Sequence, residues 1–142
     1  AWLRGSLDFS FSGLKTAFLN KAKDLGMYPP DPSKNVDEEQ IREMAAGFQM
    51  SVADVIAVKT IQAATQYEVK GILLGGGVAA NAKLRSVLTE RSDIPVIIPA
   101  PRLCTDNGAM IAYAGWMRLQ SAVNTLDFTI RPRWSLSGLA PP

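Results

Sequence analysis

The chain has 142 residues, of which 47% are hydrophobic and 20% charged, and its 15 Lys and Arg against 13 Asp and Glu give a formal net charge of +2. These values exclude a disordered or collagen-like chain, the length suits one domain with its own core, and the charge by itself gives no argument for nucleic-acid binding. The single Cys excludes an internal disulfide, and the absence of His excludes Ser-His-Asp triads and His-ligated zinc sites built from this chain alone.

A short strand followed by a polar helix start is predicted near the beginning of the chain. Phe9 and Phe11 alternate with serines, which predicts a strand that carries Ser10 and Ser12 on its other face. Ser12 and Gly13 then open a helix with a hydroxyl and backbone N–H groups, so both residues are candidates for binding a polar ligand or cofactor. The alternative is a serine that only caps the helix.

Two helices separated by a proline-rich loop are predicted next. Helical spacing of apolar residues places the first helix over residues 12–25, and three prolines within residues 29–32 exclude its continuation. Asp37 and Gln40 have the spacing of a capping box, so a long helix is expected from there to about Tyr67. Its apolar stripe, expected to be core, comprises Ile41, Met44, Ala45, Phe48, Val52, Val55 and Ile56.

A strand–helix–strand unit is predicted in the second half of the chain. Two apolar runs, residues 72–74 and 96–98, flank a glycine turn and a helix that carries Leu84, Val87 and Leu88. Such a unit is expected to be parallel and right-handed, with strands buried on both faces. The fold class predicted from this pattern is α/β, helix-rich with a short parallel sheet.

The glycine turn is the first candidate site. Gly75, Gly76 and Gly77 follow a strand and precede Asn81 at the start of a helix, where a ligand can approach the backbone closely. The turn lacks the spacing of a dinucleotide fingerprint and the Lys of a P-loop. The alternative is a tight turn in which Asn81 only caps the helix.

The second candidate site is Asp106, which follows the second strand and opens a last helix expected to run to about Gln120. A carboxylate at the carboxyl end of a parallel strand can hold a metal. The alternative is that Thr105 or Asp106 only caps the helix. Cys104 is expected to be a small buried residue, because no His or Lys is placed to activate it.

The C-terminal segment and the cellular compartment are the last features predicted from the sequence. Residues 121–142 are expected to be irregular, with Arg131–Trp134 as their one notable cluster. No stretch approaches the roughly 20 apolar residues of a membrane span, and the start lacks a basic region followed by an apolar run. We therefore expect a cytoplasmic protein with no membrane contact.

Four strings taken together resemble the tRNA threonylcarbamoyladenosine transferase family (TsaD), formerly known as O-sialoglycoprotein endopeptidases. They are Asp8 to Lys15, Gly75 to Asn81 with Leu84-Arg85, Cys104 to Gly115, and Arg131 to Trp134, and they occur in family order. The resemblance implies the C-terminal part of a two-lobed fold of the actin/Hsp70/sugar-kinase type. Within it we expect a strand–helix and loop (1–36), a long helix (37–68), a nucleotide- and metal-site unit (69–120) and a tail (121–142).

The resemblance also implies an activity: transfer of a threonylcarbamoyl group from threonylcarbamoyl-adenylate to N6 of the tRNA adenosine beside the anticodon. By matching position, Asn81 contacts the adenylate or ATP and Asp106 is a ligand of one divalent metal, iron or zinc. The other metal ligands of the family are two His residues of an N-terminal motif, so we expect this chain alone to be inactive. No catalytic residue is assigned within it.

The implied partners are tRNA, the proteins of the threonylcarbamoyladenosine synthesis complex and the N-terminal lobe. Two alternatives stay open at this point. One is a non-catalytic interaction module of the same fold, which would lack the His pair even in its complete gene product. The other is a metallopeptidase, which needs an activated water and a base that the chain does not show.

Overall fold

The computed structural model describes residues 2–122, Thr129 and Ser135. The helices and strands follow in the order α1 (Phe11–Asp24), α2 (Glu38–Gln66), β1 (Ile72–Leu73), η1 (Gly77–Ala80, a short 3-10 helix), α3 (Ala82–Arg91), β2 (Val96–Ile97), η2 (Pro101–Leu103, 3-10), α4 (Gly108–Met117) and η3 (Leu119–Ser121, 3-10). Two compact units divide the chain, residues 1–105 and residues 106–142. The predicted cluster Arg131–Trp134 lies outside the described residues.

Helix α1 begins one residue earlier than predicted, because Ser10 and not Ser12 is its N-cap. The Ser10 hydroxyl accepts a hydrogen bond from the backbone N–H of Ser12 at 3.3 Å. The helix ends at a glycine, as expected: Gly26 has φ +73°, and the N–H of Met27 donates to the carbonyl oxygen of Ala22 at 2.8 Å, the bond of a Schellman motif. The predicted strand before α1 is wrong, since an isolated antiparallel bridge between Trp2 and Phe9 stands in its place.

The capping box of α2 is confirmed in both directions. The N–H of Gln40 donates to the Asp37 carboxylate at 2.8 Å, and the N–H of Asp37 donates to the Gln40 side-chain carbonyl at 3.1 Å. The predicted apolar stripe is only partly core. Val55 is buried, Ile41 and Ala45 are exposed, and the remaining members are half-buried, namely Met44, Phe48, Val52 and Ile56. Phe18 of α1 meets Phe48 with ring centroids 4.7 Å apart.

The core of the first unit lies between α2, α3 and the sheet. Its buried members are Ala53, Ala57 and Ala64 of α2, Ile72 of β1, and Leu84, Val87 and Leu88 of α3. The alanines allow the backbones of α2 and α3 to approach closely, and Asp54 of α2 forms an ion pair with Arg91 of α3. The three residues predicted to face the core from α3 are all buried.

The two strands are parallel, as predicted, with Ile72 opposite Val96 and Leu73 opposite Ile97. The expectation that both faces are buried is wrong. Ile72 is buried against the helices, but Leu73 is 75% exposed and Ile97 is 63% exposed. Among the described residues, only one face of the sheet is covered, because both helices that pack on it lie on the same side.

Helix α2 passes a length and composition test for a membrane span, with a mean hydropathy of 1.3 over an 18-residue window. From the sequence we expected no stretch that approaches roughly 20 apolar residues, yet Ala, Val, Ile and Met keep the window average high. In the structure this helix contributes Ala53, Ala57 and Ala64 to the core with α3. It also carries the buried Lys59, whose ammonium donates to the carbonyl oxygens of Leu3, at 2.8 Å, and of Ser6.

The second unit contains α4, which is shorter than predicted. The helix was expected over residues 106–120, but it begins at Gly108 with Asn107 as N-cap and ends at Met117. The Asn107 side-chain oxygen accepts from the backbone N–H of Met110 at 3.1 Å. A 3-10 turn follows at residues 119–121.

Candidate functional site

The glycine turn lies at the carboxyl end of β1, and its backbone is open. Gly75, Gly76 and Gly77 are exposed, and a Cβ built on any of them meets no heavy atom within 4 Å. Gly76 has φ +85° and ψ 171°, a conformation that side chains with a Cβ rarely adopt. The turn therefore requires glycine for its conformation at Gly76, and at all three positions it leaves space that a ligand can occupy.

Asn81 closes this segment and caps α3. Its side-chain carbonyl oxygen accepts a hydrogen bond from the backbone N–H of Leu84 at 3.0 Å, which is the capping interaction of the alternative interpretation. The side chain is half-buried. Its amide nitrogen has two further N–H donors, for which the described residues offer no hydrogen-bond acceptor. Capping and ligand binding are therefore compatible at this residue, because they use different atoms.

Arg85 is the residue of this region whose role the sequence did not reveal. Its Nε donates to the carbonyl oxygen of Ala79 at 2.5 Å, and its Nη2 donates to the carbonyl oxygen of Pro99 at 2.7 Å. The same Nη2 lies 3.0 Å from the sulfur of Cys104, which is buried as predicted. The sequence signal was its membership of the Leu84-Arg85 pair in one of the four strings that resemble the family, which marks the residue without indicating its contacts.

Ser12 and Gly13 lie in the first turn of α1, and the alternative in which Ser12 only caps the helix is wrong, because Ser10 is the N-cap. The N–H of Ser12 is already bonded to Ser10, and the Ser12 carbonyl oxygen accepts from the Thr16 hydroxyl at 3.0 Å. Both Ser12 and Gly13 are exposed. The N–H of Gly13 is one of the first-turn donors that helix geometry leaves without an intrahelical acceptor, so ligand binding at this turn stays a prediction.

Asp106 is exposed and precedes α4 in the second unit. The capping alternative is wrong for both Thr105 and Asp106, because Asn107 caps the helix. No hydrogen bond or ion pair joins the Asp106 carboxylate to any residue that the structure describes, so its oxygens are available to an external ligand. Within residues 2–122 there is no group of three side chains suited to hold a metal, so Asp106 could contribute only one ligand of a set.

The structure brings together part of the predicted site within the first unit. Gly75 to Asn81 and the segment from Pro99 to Cys104 meet through Arg85, at the edge where both parallel strands end. This edge is where open α/β sheets bind their ligands. Ser12 and Gly13 belong to α1, which packs against α2.

Comparison with known proteins gives a consistent result. Residues 2–113 match the family model of tRNA N6-adenosine threonylcarbamoyltransferase. Curated proteins of that name include relatives from Dehalococcoides mccartyi, 44% identical over 138 residues, Geobacillus kaustophilus, 49% over 128 residues, and Listeria welshimeri, 47% over 134 residues. These alignments cover 96%, 84% and 90% of the chain but only 39%, 34% and 37% of the three relatives, so the chain spans less than two fifths of their length.

Proposed function

Because the chain belongs to the tRNA N6-adenosine threonylcarbamoyltransferase (TsaD) family, we propose that it forms part of an enzyme that makes threonylcarbamoyladenosine in tRNA. The reaction is transfer of the threonylcarbamoyl group from threonylcarbamoyl-adenylate to N6 of the adenosine beside the anticodon. The chain would be the C-terminal part of a two-lobed fold of the actin/Hsp70/sugar-kinase type. It would supply part of the nucleotide site and one metal ligand.

The observation that carries this proposal is the open glycine turn at the carboxyl end of β1. Gly75 to Gly77 expose their backbone, and no described atom fills the space where their side chains would be. A phosphate or adenosine group can therefore reach the backbone and the N-terminal end of α3 directly. Asn81 would add side-chain N–H donors to a nucleotide acceptor while its oxygen keeps the helix cap.

The donor set of the chain fits a metal only in part. Asp106 presents an exposed carboxylate without a partner among the described residues, and the sequence contains no His. We propose Asp106 as one ligand of a divalent metal, iron or zinc, whose remaining ligands come from polypeptide outside this chain. Such a metal, when bound, would supply positive charge that polarises an acyl carbonyl. Asn107 contributes by capping α4, so that the neighbouring carboxylate is not needed for the helix.

In the proposed reaction the N6 amine attacks the carbonyl carbon and AMP leaves. This chain offers no activated nucleophile, so we propose that the protein acts by orienting the two reactants. Binding of the adenylate on the glycine turn would hold its carbonyl group in place for the incoming amine. The partners that we propose are tRNA, the N-terminal lobe and the other proteins of the synthesis complex. The proposed compartment is the cytoplasm.

Substitution of Gly77 in the complete gene product tests the proposal. Gly77 has no positive φ, and a Cβ there meets nothing within 4 Å, so Gly77→Ala should fold normally but obstruct the approach of a ligand. We expect the KM for threonylcarbamoyl-adenylate to rise at least about tenfold, since a methyl group forced into a packed contact costs about 1–3 kcal/mol. The readout is threonylcarbamoyladenosine formed in tRNA, measured by mass spectrometry of nucleosides.

Gly47→Ala is the matched control. Gly47 lies inside α2, and its Cβ position is also free of neighbours within 4 Å, so this variant should keep the wild-type KM. A wild-type protein that forms no modified nucleoside and binds no adenylate would refute the enzyme proposal and favour the interaction module. An unchanged KM in Gly77→Ala would remove the glycine turn from the site.

A further inference from the structure

We infer that Arg85 is a positioning residue for the adenylate: its guanidinium fixes the distance between the two loops that follow the parallel strands. This inference rests on the proposed function, because it concerns the same nucleotide site. It assigns to Arg85 no contact with the substrate. Its effect passes through the backbone of the glycine turn and of the segment after β2.

The contacts of Arg85 join three points of the chain. Nε binds the carbonyl oxygen of Ala79, within η1, which directly follows the glycine turn. Nη2 binds the carbonyl oxygen of Pro99, two residues beyond β2, and approaches the sulfur of Cys104, directly after η2. Ala79 and Cys104 are buried at 0% and 2% exposure, whereas Arg85 and Pro99 are half-buried, so these bonds are partly shielded from water. Bonds from a charged donor in such surroundings are stronger than those between neutral groups.

The contacts of Arg85 lie at the end of the sheet where we propose that the adenylate binds. Strands β1 and β2 are paired over only two residues each. The hydrogen bonds between the strands therefore do little to fix the positions of the two loops that follow them. The segments that begin at Gly75 and Pro99 both leave the same edge of the sheet. A planar guanidinium that binds both segments sets their separation, and this separation determines whether a nucleotide fits on the glycine turn.

Lysine cannot replace arginine in this arrangement. Arginine presents several N–H donors in a rigid plane, whereas lysine has a single ammonium on a flexible stem and cannot span two loops with the same geometry. Arg85→Lys therefore keeps the positive charge and removes the bridge. The comparison separates a role in positioning from a purely electrostatic role. The charge itself has no carboxylate partner among the described residues.

The same helix provides a matched control. Arg91 is the last residue of α3, and its guanidinium is paired with the Asp54 carboxylate of α2. Arg91→Lys makes the same chemical change on the same element, at a bond that connects two helices and neither loop. A general loosening of α3 would appear in both variants, whereas loss of the loop bridge would appear only in Arg85→Lys.

The test measures two quantities on the complete gene product. The first is amide hydrogen exchange, followed by mass spectrometry, at the hydrogen-bonded N–H groups of Ala79, Asn81, Leu103 and Cys104. In Arg85→Lys we expect exchange to be at least about tenfold faster in both segments, the factor expected for one lost hydrogen bond to a charged group. The second is the Kd for threonylcarbamoyl-adenylate, which we expect to rise about 10- to 100-fold, the factor that corresponds to one lost hydrogen bond to a charged group. Arg91→Lys should leave both quantities unchanged.

The outcomes separate this inference from the proposed function. Wild-type exchange and Kd in Arg85→Lys would overturn the inference, and so would faster exchange with an unchanged Kd. A wild-type protein that binds no adenylate would refute the proposed function, and the positioning of the adenylate by Arg85 would fall with it. In that case the exchange data alone would still show whether Arg85 joins the loops. If Arg85→Lys does not fold, Cys104→Ala removes one contact and should accelerate exchange at residues 103–104 only, with a smaller rise in Kd.

Discussion

Replacing Gly76 by alanine gives a direct test of the turn that the proposed site depends on. At φ +85° and ψ 171° the backbone of Gly76 is in a region that is almost exclusive to glycine. The surrounding space is empty, because a Cβ there meets no heavy atom within 4 Å. The cost of Gly76→Ala is therefore conformational and not steric, and residues forced into such regions cost about 1–3 kcal/mol each.

Gly77→Ala provides the reference that isolates this cost. Both substitutions restrict the unfolded chain equally, a change that stabilises by about 0.4–1 kcal/mol where the folded backbone accepts alanine. Gly77 has no positive φ and an equally open Cβ position, so its variant should be unchanged or slightly more stable. The difference between the free energies of unfolding of the two variants therefore contains no unfolded-state contribution. We expect Gly76→Ala to be about 1–3 kcal/mol less stable than Gly77→Ala.

The assay is urea denaturation followed by far-ultraviolet circular dichroism, with the free energy of unfolding taken by linear extrapolation for wild type and both variants. Equal slopes in the three transitions would establish that the variants unfold from comparable states. A difference below about 0.5 kcal/mol between the two variants, which is within the range of ordinary surface substitutions, would refute the assigned backbone conformation and the argument for a preformed turn.

Three further predictions concern single side chains. Asp106→Asn should lower the metal content of the complete protein, measured by elemental analysis, while leaving its stability within about 0.5 kcal/mol, because the carboxylate is exposed; full metal occupancy would argue against its assignment as a ligand. Lys59→Met should lower the free energy of unfolding by about 1–3 kcal/mol, because the carbonyl oxygens of Leu3 and Ser6 lose their donor; a neutral result in denaturation would contradict this. Leu88→Ala should cost about 2–5 kcal/mol in the same assay, since this side chain is fully buried between α3 and α2, and a cost below 1 kcal/mol would mean that the core is not packed as described.

The elements that the sequence predicted well are those fixed by local chemistry. The capping box of Asp37 and Gln40, the glycine after α1 and the Asn81 cap each depend on residues within one helical turn, so a pattern of a few letters is sufficient. The parallel pairing of β1 and β2 also followed, because the connecting helix leaves little choice of topology.

The errors in helix capping arose where two polar residues, one or two positions apart, compete for the same role. Ser10 and Ser12 are both good caps, and so are Asp106 and Asn107, since each has an oxygen that can reach a first-turn N–H. Chain geometry decides between them: Ser10 and Asn107 adopt extended backbone angles before their helices. The sequence contains no signal for that choice. For Asp106 the outcome bears on function, because the helix cap was the alternative to metal binding and Asn107 makes that cap.

Burial and long-range contacts could not be predicted from the sequence for a different reason. The exposed face of β1 and β2 and the half-buried end of α2 depend on which elements are available to cover them. The bridge made by Arg85 joins residues 79, 99 and 104, and no periodicity relates those positions. The roles of Gly75, Gly77, Ser12 and Asp106 toward ligands likewise depend on groups outside the described residues, so they stay predictions.

The burial of Cys104 makes this residue an intrinsic reporter of loop opening. It is the single cysteine of the sequence, the residue is 2% exposed, and its thiol contacts the carbonyl oxygens of Pro99 and Ala100 at 3.7 and 3.6 Å. A thiol reagent can modify it only after the segment beyond β2 has moved away, so under conditions of fast reclosing the labelling rate measures the free energy of that local opening. The rate of thiol labelling thus reports local opening of the segment that follows β2, without any introduced probe.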